Sequence, residues 1–306
     1  MFDIFKILQG NEGDKDYKKK PVIVQGITGK FGAFHTKLML QYGTRIIAGV
    51  TPGKGGQNFD GVPIYDRVAE AVKNTGAKIS VMFVPAQYFL DATEEALNDG
   101  ISLVVAIPEH VPVKDSLKCL ELAKAKGAKI FGPNTPGIII PSVIKLGIMP
   151  AEPFEPGNVA VFSRSGTLMY EVSHILSTSG FGQRISLGIG GDPINCTTLI
   201  ECFDMVRERG DVSSVVVVGE IGGDAEEQLA ESIISTGFDK PVVAYIAGRS
   251  APKEKRMGHA GAIIYGNFGS AESKVSMFAK AGVPVAKSPS EIPVLLAQKM
   301  KQKQVS

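Results

Sequence analysis

Short runs of β-branched and other apolar residues alternate along the chain with stretches whose apolar positions recur at helical spacing. In the first half the runs fall at 22–25 (VIVQ), 46–50 (IIAGV), 79–84 (ISVMFV), 102–107 (SLVVAI) and 129–131. The segments 32–42, 66–75, 88–99 and 114–126 between them read as helices. Strands that are apolar nearly throughout belong to a parallel sheet covered on both faces. The pattern stops at Met149–Gly157, where three prolines and a glycine in nine residues exclude a helix interior or a central strand. It then restarts, with strands expected at 158–162, 184–188, 214–219 and 241–246. Helices are expected at 167–178, 197–209, 224–236, near 270–281 and near 290–303, and a Gly/Lys-rich loop at 248–262. The reading is two doubly wound α/β domains in tandem: an N-terminal extension over 1–20, a first domain over 21–150 and a second over 151–306.

Composition narrows the function classes. The 306 residues are 44% hydrophobic, enough to bury a core. Thirty-three basic against thirty-one acidic residues leave a net charge of +2, so nothing points to nucleic acid or an anionic membrane surface. No apolar run approaches the ~20 residues of a membrane span. Asp3, Glu12, Asp14 and Asp16 make the first twenty residues a poor secretory or transit signal. The Lys18–Lys20 run reads as a solvated edge before the first strand. Cys119, Cys196 and Cys202 are an odd number without C-x-x-C spacing, and there is no clustered histidine ligand set. A reducing, cytoplasmic setting without disulfides, zinc or another bound metal is expected.

The glycines carry the chemistry. There are 35 of them, about 11% against a usual ~7%, without collagen or linker periodicity. Ligands of such sheets bind beyond the carboxyl ends of the strands, where helix starts present unpaired N–H groups to anions. After the first strand comes Gly26-Ile-Thr-Gly29-Lys-Phe-Gly32, either a phosphate cradle or a tight packing turn, with Lys30 placed against the helix dipole. The second strand runs into Thr51-Pro-Gly-Lys54-Gly-Gly56. The absence of a carboxylate there argues against NAD. Lys54 suits a phosphorylated ribose, as in coenzyme A or NADP, or else is a solvated turn lysine.

In the second half, strand 158–162 delivers Ser163-Arg-Ser165-Gly166-Thr167 to a helix start, a hydroxyl-rich anion site. No glycine stands where a G-x-S-x-G elbow requires it, so a serine hydrolase is excluded. Further strands lead into Gly190-Gly-Asp-Pro193 and Glu220-Ile-Gly-Gly223. His35 and His174 fall within helices and His110 in a Pro-bounded turn, all three reading as structural. His259 lies in Arg256-Met-Gly258-His259-Ala-Gly261, where flanking glycines free the backbone. A neutral imidazole is a competent nucleophile near pH 7 when an acceptor holds its other nitrogen. Glu220 is the candidate acceptor, and the Ser165–Thr167 helix start could stabilise a phosphorylated His259. The motifs alone reach a phosphate-handling histidine beside a CoA-like site.

GITGKFG, GVTPGKGG, SRSGTL, GIGGDPI, GEIGG and APKEKRMGHAGAII occur in this order from Pro21 onward. At these residues the chain closely resembles the alpha subunits of succinate–CoA ligases. The resemblance implies a Rossmann-like CoA-binding domain followed by a flavodoxin-like ligase domain. It places CoA at Thr28, Gly29, Lys30, Phe31, Lys54, Ile107, Pro108 and Glu109. It makes His259 the phosphorylated residue, Glu220 the group that orients it, and Ser165, Gly166 and Thr167 the phosphate site, with Tyr170 at the organic acid. The implied reaction converts succinyl-CoA and phosphate to succinyl phosphate, then passes the phosphoryl group through His259 to ADP or GDP with Mg²⁺. The nucleotide is implied to lie on an ATP-grasp beta subunit, in an αβ or α₂β₂ assembly; this chain has no G-x-x-x-x-G-K-[ST] loop, although ATP-grasp domains lack it too. Three departures stand against the family pattern: Thr135 where the family usually has cysteine, which bears on the CoA thiol end, Ala151-Glu152 in place of Gly-His, and Tyr265-Gly-Asn after GHAGAII; together they weaken succinate as the acid. The alternatives are malate–CoA or citrate–CoA ligase chemistry, or a non-catalytic CoA-binding regulatory protein.

Overall fold

The computed structural model describes residues 2–18, 20–252, 257–264 and 269–305. The chain forms two units, one of Met1–Ile139, Val143–Met149 and Ile194–Thr197, the other of Ile140–Ser142, Pro150–Pro193 and Thr198–Ser306.

The first unit begins with α1 (Ile4–Gln9), β1 (Val22–Gln25), α2 (Lys30–Gln41), β2 (Ile46–Val50), β3 (Asn58–Phe59) and β4 (Val62–Tyr65). It continues through α3 (Val68–Thr75), β5 (Ile79–Met82), α4 (Phe89–Asn98), β6 (Leu103–Ala106), α5 (Val113–Lys126), β7 (Lys129–Phe131), β8 (Gly137–Ile140) and β9 (Ile144–Gly147). Its sheet runs β3-β4-β2-β1-β5-β6-β7. Every pairing is parallel except the β3–β4 hairpin at the edge. Counted by its parallel strands alone, the order is 3-2-1-4-5-6, the Rossmann arrangement. β1, β5 and β6 are buried at every position, as a sheet covered on both faces requires. Ile23, Met82, Phe89, Val104 and Ile130 form the core with Cys196, which arrives on the returning segment 194–197. Gly76 and Gly127 end α3 and α5 in the left-handed region, at φ 68° and 64°.

The second unit contains β10 (Pro156–Ser163), α6 (Gly166–Thr178), β11 (Gln183–Gly188), α7 (Leu199–Arg207), β12 (Ser214–Glu220) and α8 (Ala225–Thr236). It ends with β13 (Val242–Ala247), α9 (Ala271–Lys280), β14 (Val285–Ala286) and α10 (Ile292–Val305). These strands run β14-β13-β12-β10-β11, all parallel. Numbered within the unit and read from β11 to β14, the order is 2-1-3-4-5, the flavodoxin arrangement. β12, with four consecutive valines, is buried throughout.

Several elements differ from the sequence expectation. The helix expected over 197–209 is α7, 199–207, because Thr198 and Glu201 form a capping box while Thr197 Oγ1 donates to the Ile130 carbonyl at 2.7 Å. The β3–β4 hairpin was not expected; its turn places Asp60 and Gly61 at φ 49° and 88°, the backbone an Asp-Gly hairpin turn requires. Within the first twenty residues α1 buries Ile4, Phe5 and Leu8, with Asp3 accepting from the Lys6 N–H. Lys20 is not a solvated edge: its Nζ reaches Asp16 at 2.7 Å and Asp14 at 3.3 Å, while Lys19 lies outside the described residues. No helix among the described residues is long and apolar enough to cross a membrane.

Because Phe5 is 1% exposed, Phe5→Ala is expected to cost about 3 kcal/mol of stability, read as a lowered urea midpoint. An unchanged midpoint would mean that α1 contributes nothing to the first unit.

Candidate active site

In a doubly wound sheet the crossovers leave the central strands in opposite directions, and a crevice opens at the carboxyl ends between them. In the first unit that point lies between β1 and β5. The chain leaves β1 through Gly26, at φ +80°, and enters α2 with Gly29 as N-cap, with neither a side-chain cap nor an acid in the first turn. The turn is drawn tight: a Cβ on Gly32 would lie 2.3 Å from the Gly26 carbonyl oxygen. A cavity of about 720 Å³ opens here, lined in part by Gly26, Thr28, Gly29, Thr51, Pro52 and Phe83. Thr28 and Thr51 meet across it, hydroxyl to hydroxyl, at 3.3 Å.

The other residues named from the sequence surround the same strand ends. Lys30 and Phe31 open α2, both exposed. Lys54 is exposed in the turn after β2, held by its N–H to the Thr51 carbonyl at 3.1 Å, and neither lysine forms an ion pair among the described residues. β6 stops at Ala106, and Ile107 continues the ladder with one hydrogen bond to the Met82 carbonyl at 3.2 Å. Pro108 accepts from the Asn134 N–H at 2.7 Å, and Glu109 is exposed beside His110. Thr135, in the turn after β7, is 2% exposed, and its Oγ1 accepts from the Gly137 N–H at 3.0 Å. Free helix-start donors, an apolar cavity and unpaired lysines at the rim fit a ligand with an apolar body and several phosphates.

In the second unit the switch point falls between β10 and β12. β10 ends at Ser163, which pairs with Val218, and β12 runs on to Glu220. Ser163 Oγ donates to the Ser165 carbonyl at 2.7 Å and accepts from the Ser165 N–H at 3.1 Å. Ser165 then caps α6 by accepting from the Leu168 N–H at 3.4 Å. The serine hydroxyls are therefore spent on shaping the turn, and the backbone N–H groups of Gly166 and Thr167 are the first of the helix.

His259 is brought to the end of β12. Its Nδ1 lies 2.8 Å from Glu220 Oε2 and 3.1 Å from Oε1. The imidazole lies against Gly191, where a Cβ would stand 2.4 Å from His259 Cγ. The Gly261 N–H donates to the Gly191 carbonyl at 3.2 Å, and the Ala262 N–H to the His259 carbonyl at 3.1 Å, closing a turn around the histidine. Gly222, at φ +90°, lets this loop approach: its Cβ would meet the Gly261 oxygen at 2.0 Å. The hydrogen bond to Glu220 holds the His259 pKa above the ordinary imidazole value, against the opposing effect of burial. With Glu220 on Nδ1, Nε2 is the nitrogen left to react. Residues 253–256 of the expected loop, and the Tyr265-Gly-Asn departure, lie outside the described residues.

Tyr170, on α6, packs edge-on against Phe154 with ring centroids 6.3 Å apart, and burial pushes its phenol up to about 12. It hydrogen-bonds neither His259 nor Glu220. Ala151 accepts from the Phe154 N–H at 3.1 Å, within the segment that places that ring. Sequence reasoning missed Arg164 as a partner of Glu220; its Nη2 stands 3.4 Å from Glu220 Oε1, and the side chain is buried. The signal available was its place between the serine that ends β10 and the serine that caps α6. Among the described residues no group of three or more His, Cys, Asp or Glu could hold a metal ion.

Comparison with known proteins follows the same division. The CoA binding domain family matches residues 17–110, and the CoA-ligase family matches residues 162–283. The chain is 50% identical over 281 residues to the alpha 2 subunit of the ADP-forming succinate–CoA ligase of Archaeoglobus fulgidus, covering 92% of this chain and 97% of that one. It is 48% identical over 286 residues to the corresponding alpha subunit of Aquifex aeolicus, covering 93% of each. Among solved structures, ATP citrate lyase of Methanothrix soehngenii in complex with citrate and coenzyme A superposes with a TM-score of 0.84. At 23% identity that likeness concerns the fold; it covers 94% of this chain and 50% of the lyase. By its two domains the chain is a CoA ligase component. It belongs to the family of succinate–CoA ligase alpha subunits.

Since Glu220 is what raises the His259 pKa, Glu220→Gln is expected to move the His259 NMR titration to lower pH, and an unmoved midpoint would contradict the pairing. Gly191→Ala is expected to displace the ring and weaken the same coupling, lowering the titration midpoint without altering CoA binding at the first unit.

Proposed function

We propose that this chain is the alpha subunit of an ADP-forming succinate–CoA ligase. It would interconvert succinyl-CoA, phosphate and ADP with succinate, CoA and ATP, together with an ATP-grasp beta subunit. The observation that carries the reading is the His259–Glu220 pair, set at the switch point of the CoA-ligase unit in a chain half-identical to named alpha subunits.

CoA occupies the first unit. The N–H groups of Thr28, Lys30 and Phe31 receive its diphosphate beside Gly29, whose own N–H is held by the Gly26 carbonyl at 3.1 Å; Lys54 takes its ribose phosphate, and Ile107 to Glu109 line the path of its pantetheine arm. A phosphate oxygen attacks the thioester carbonyl, the C–S bond breaks, and the thiolate leaves with the proton the phosphate gives up. His259 Nε2 then attacks the phosphorus of succinyl phosphate, and succinate departs with the electrons of the P–O bond. The ring now carries a phosphoryl group on Nε2 and a proton on Nδ1. It is therefore cationic, and the carboxylate that raises the pKa of the free imidazole also stabilises this form. The start of α6 at Ser165, Gly166 and Thr167 faces the phosphoryl oxygens, and Tyr170, neutral at pH 7, flanks the acid. Transfer to ADP breaks the N–P bond and restores neutral His259; Mg²⁺ accompanies the nucleotide on the partner.

The pH dependence follows with its sign. Nε2 must be unprotonated to attack, so phosphorylation from the acyl phosphate falls as pH drops through the raised His259 pKa. In Glu220→Gln that limb moves to lower pH while the plateau rate declines.

The reading is tested by incubating the chain, co-expressed with its beta subunit, with Mg²⁺ and γ-labelled ATP. An acid-labile, base-stable label is expected on wild type and absent from His259→Ala; label on both would remove His259 from the reaction. A panel of succinate, malate and citrate identifies the acid by CoA-ester formation, and turnover with malate or citrate alone would replace succinate. Loss of a charge-assisted contact, about 1.5–3 kcal/mol, should weaken CoA for Lys54→Ala by roughly tenfold or more. Dephospho-CoA should be unaffected; equal losses for both would refute the assigned role of Lys54.

A further inference from the structure

Behind His259 the second unit buries charges that the phosphoryl-transfer chemistry leaves without a task. Glu226, in the first turn of α8, and Lys274, in α9, are both fully buried. Lys274 Nζ donates to Glu226 Oε2, to Glu227 Oε2 at 2.9 Å and to the Gly223 carbonyl at 3.0 Å. The other oxygen of Glu226 faces the site: Oε1 accepts from the Glu220 backbone N–H at 3.1 Å and from Arg164 Nη1 at 3.5 Å. Arg164 Nη1 also donates to the Gly222 carbonyl at 2.9 Å, and its Nη2 stands 3.4 Å from Glu220 Oε1. Glu220 is thus gripped at both ends, its main chain by Glu226 and its carboxylate by Arg164, which Glu226 also holds.

Stability alone does not call for such a cluster, because apolar side chains of similar volume replace a buried ion pair with little loss and sometimes a gain. An apolar residue at 226 could not, however, accept the Glu220 N–H and the guanidinium together. The neighbours are shaped around that carboxylate: a Cβ on Gly219 would stand 2.6 Å from Glu226 Oε1. Burial acts to raise the Glu226 carboxyl, but Arg164 and Lys274 outweigh it and hold the pKa below the usual range, so the group is ionised. Arg164 accordingly has two carboxylates to serve. Without the charge of Glu226 it has only Glu220, and a guanidinium and carboxylate left to each other favour the two-pronged geometry that would draw Glu220 off the imidazole.

We propose that Glu226 and Lys274 are positioning residues for the histidine: the pair anchors Arg164 and the Glu220 main chain so that the Glu220 carboxylate remains on His259 Nδ1. The proposal rests on His259 being the phosphoryl carrier, and it adds two residues that touch neither substrate nor the reacting nitrogen. Among the described residues the charged groups acting on His259 are Glu220, Arg164 and Asp192, and Glu220 and Arg164 are joined to Glu226 directly. Lys274 also joins the site to α9, the first helix after the histidine loop.

The test uses two variants of the full chain, Glu226→Gln, which keeps the shape, and the double variant Glu226→Leu/Lys274→Met, which removes both buried charges together so that neither is left without the other. With four histidines in the sequence, the His259 ring nitrogens are resolvable by ¹⁵N-histidine NMR and assigned with His259→Ala. Both variants are expected to lower the His259 titration midpoint. Co-expressed with the beta subunit, they are expected to form phosphohistidine more slowly by roughly tenfold, the scale of one lost charge-assisted hydrogen bond, with CoA affinity unchanged. A double variant that binds CoA, titrates at the wild-type midpoint and is phosphorylated at the wild-type rate would reduce the pair to a structural role and overturn the proposal. If the double variant does not fold, Glu226→Gln decides by the same two measurements. Wild type lacking phosphohistidine altogether would instead defeat the functional reading, while the NMR midpoints would still report whether the pair positions the ring.

Discussion

A parallel sheet wound in both directions cannot close itself at the strand where the winding reverses. Two neighbouring strands send their connections to opposite faces, and the carboxyl ends between them stay open with unpaired N–H groups pointing out. Both units of this chain are organised by that constraint. Between β1 and β5 it leaves a cavity beside the Gly26–Gly32 turn; between β10 and β12 it leaves the place where Glu220, Arg164 and His259 converge. The folds differ in strand order, yet the same topological gap supplies an anion-friendly helix start in each. The ends that cannot be paired internally are the ones available for chemistry.

Within those gaps, missing side chains matter as much as present ones. Gly32 allows α2 to start close beneath the Gly26 carbonyl, Gly191 makes room for the imidazole, and Gly222 lets the histidine loop come to the end of β12. At these three positions glycine stands where backbone must approach backbone or a ring. Charge is treated the opposite way. Arg164, Glu220, Glu226 and Lys274 are all buried, and each finds its partner among the others, as buried ions must.

Much of this was legible in the sequence because strands buried on both faces read as unbroken apolar runs, and the alternation with helices then dictates a parallel sheet. The 3-2-1-4-5-6 and 2-1-3-4-5 orders were not derivable from local pattern; the resemblance implied the two fold types, and the orders are seen in the structure. The β3–β4 hairpin escaped because strands of two and four residues carry too little periodicity, although Asp60-Gly61 was a usable turn signal. Glu220 and His259 were legible as a pair because one stands at a strand end and the other between glycines. Glu226 and Lys274 were not. Each lies in a helix among other polar residues, Ala225-Glu-Glu-Gln and Ala271-Glu-Ser-Lys, a pattern that also describes a solvated face. Their burial is a tertiary fact, decided by where α8 and α9 pack.

The segment 194–197 belongs with the first unit although it is flanked on both sides by residues of the second. Its Cys196 sits in the core formed by Ile23, Phe89 and Ile130, and its N–H donates to the Gly132 carbonyl at 2.9 Å. The boundary near Met149 is consequently not a place where the gene could be cut into two self-sufficient halves. An isolated first half would lack a piece of its own interior, and the second would carry Ile194-Asn-Cys-Thr197 without the core that receives Cys196. Two folds that look modular in their strand order are interleaved in their covalent path, so no contiguous half of the chain holds the whole of either unit.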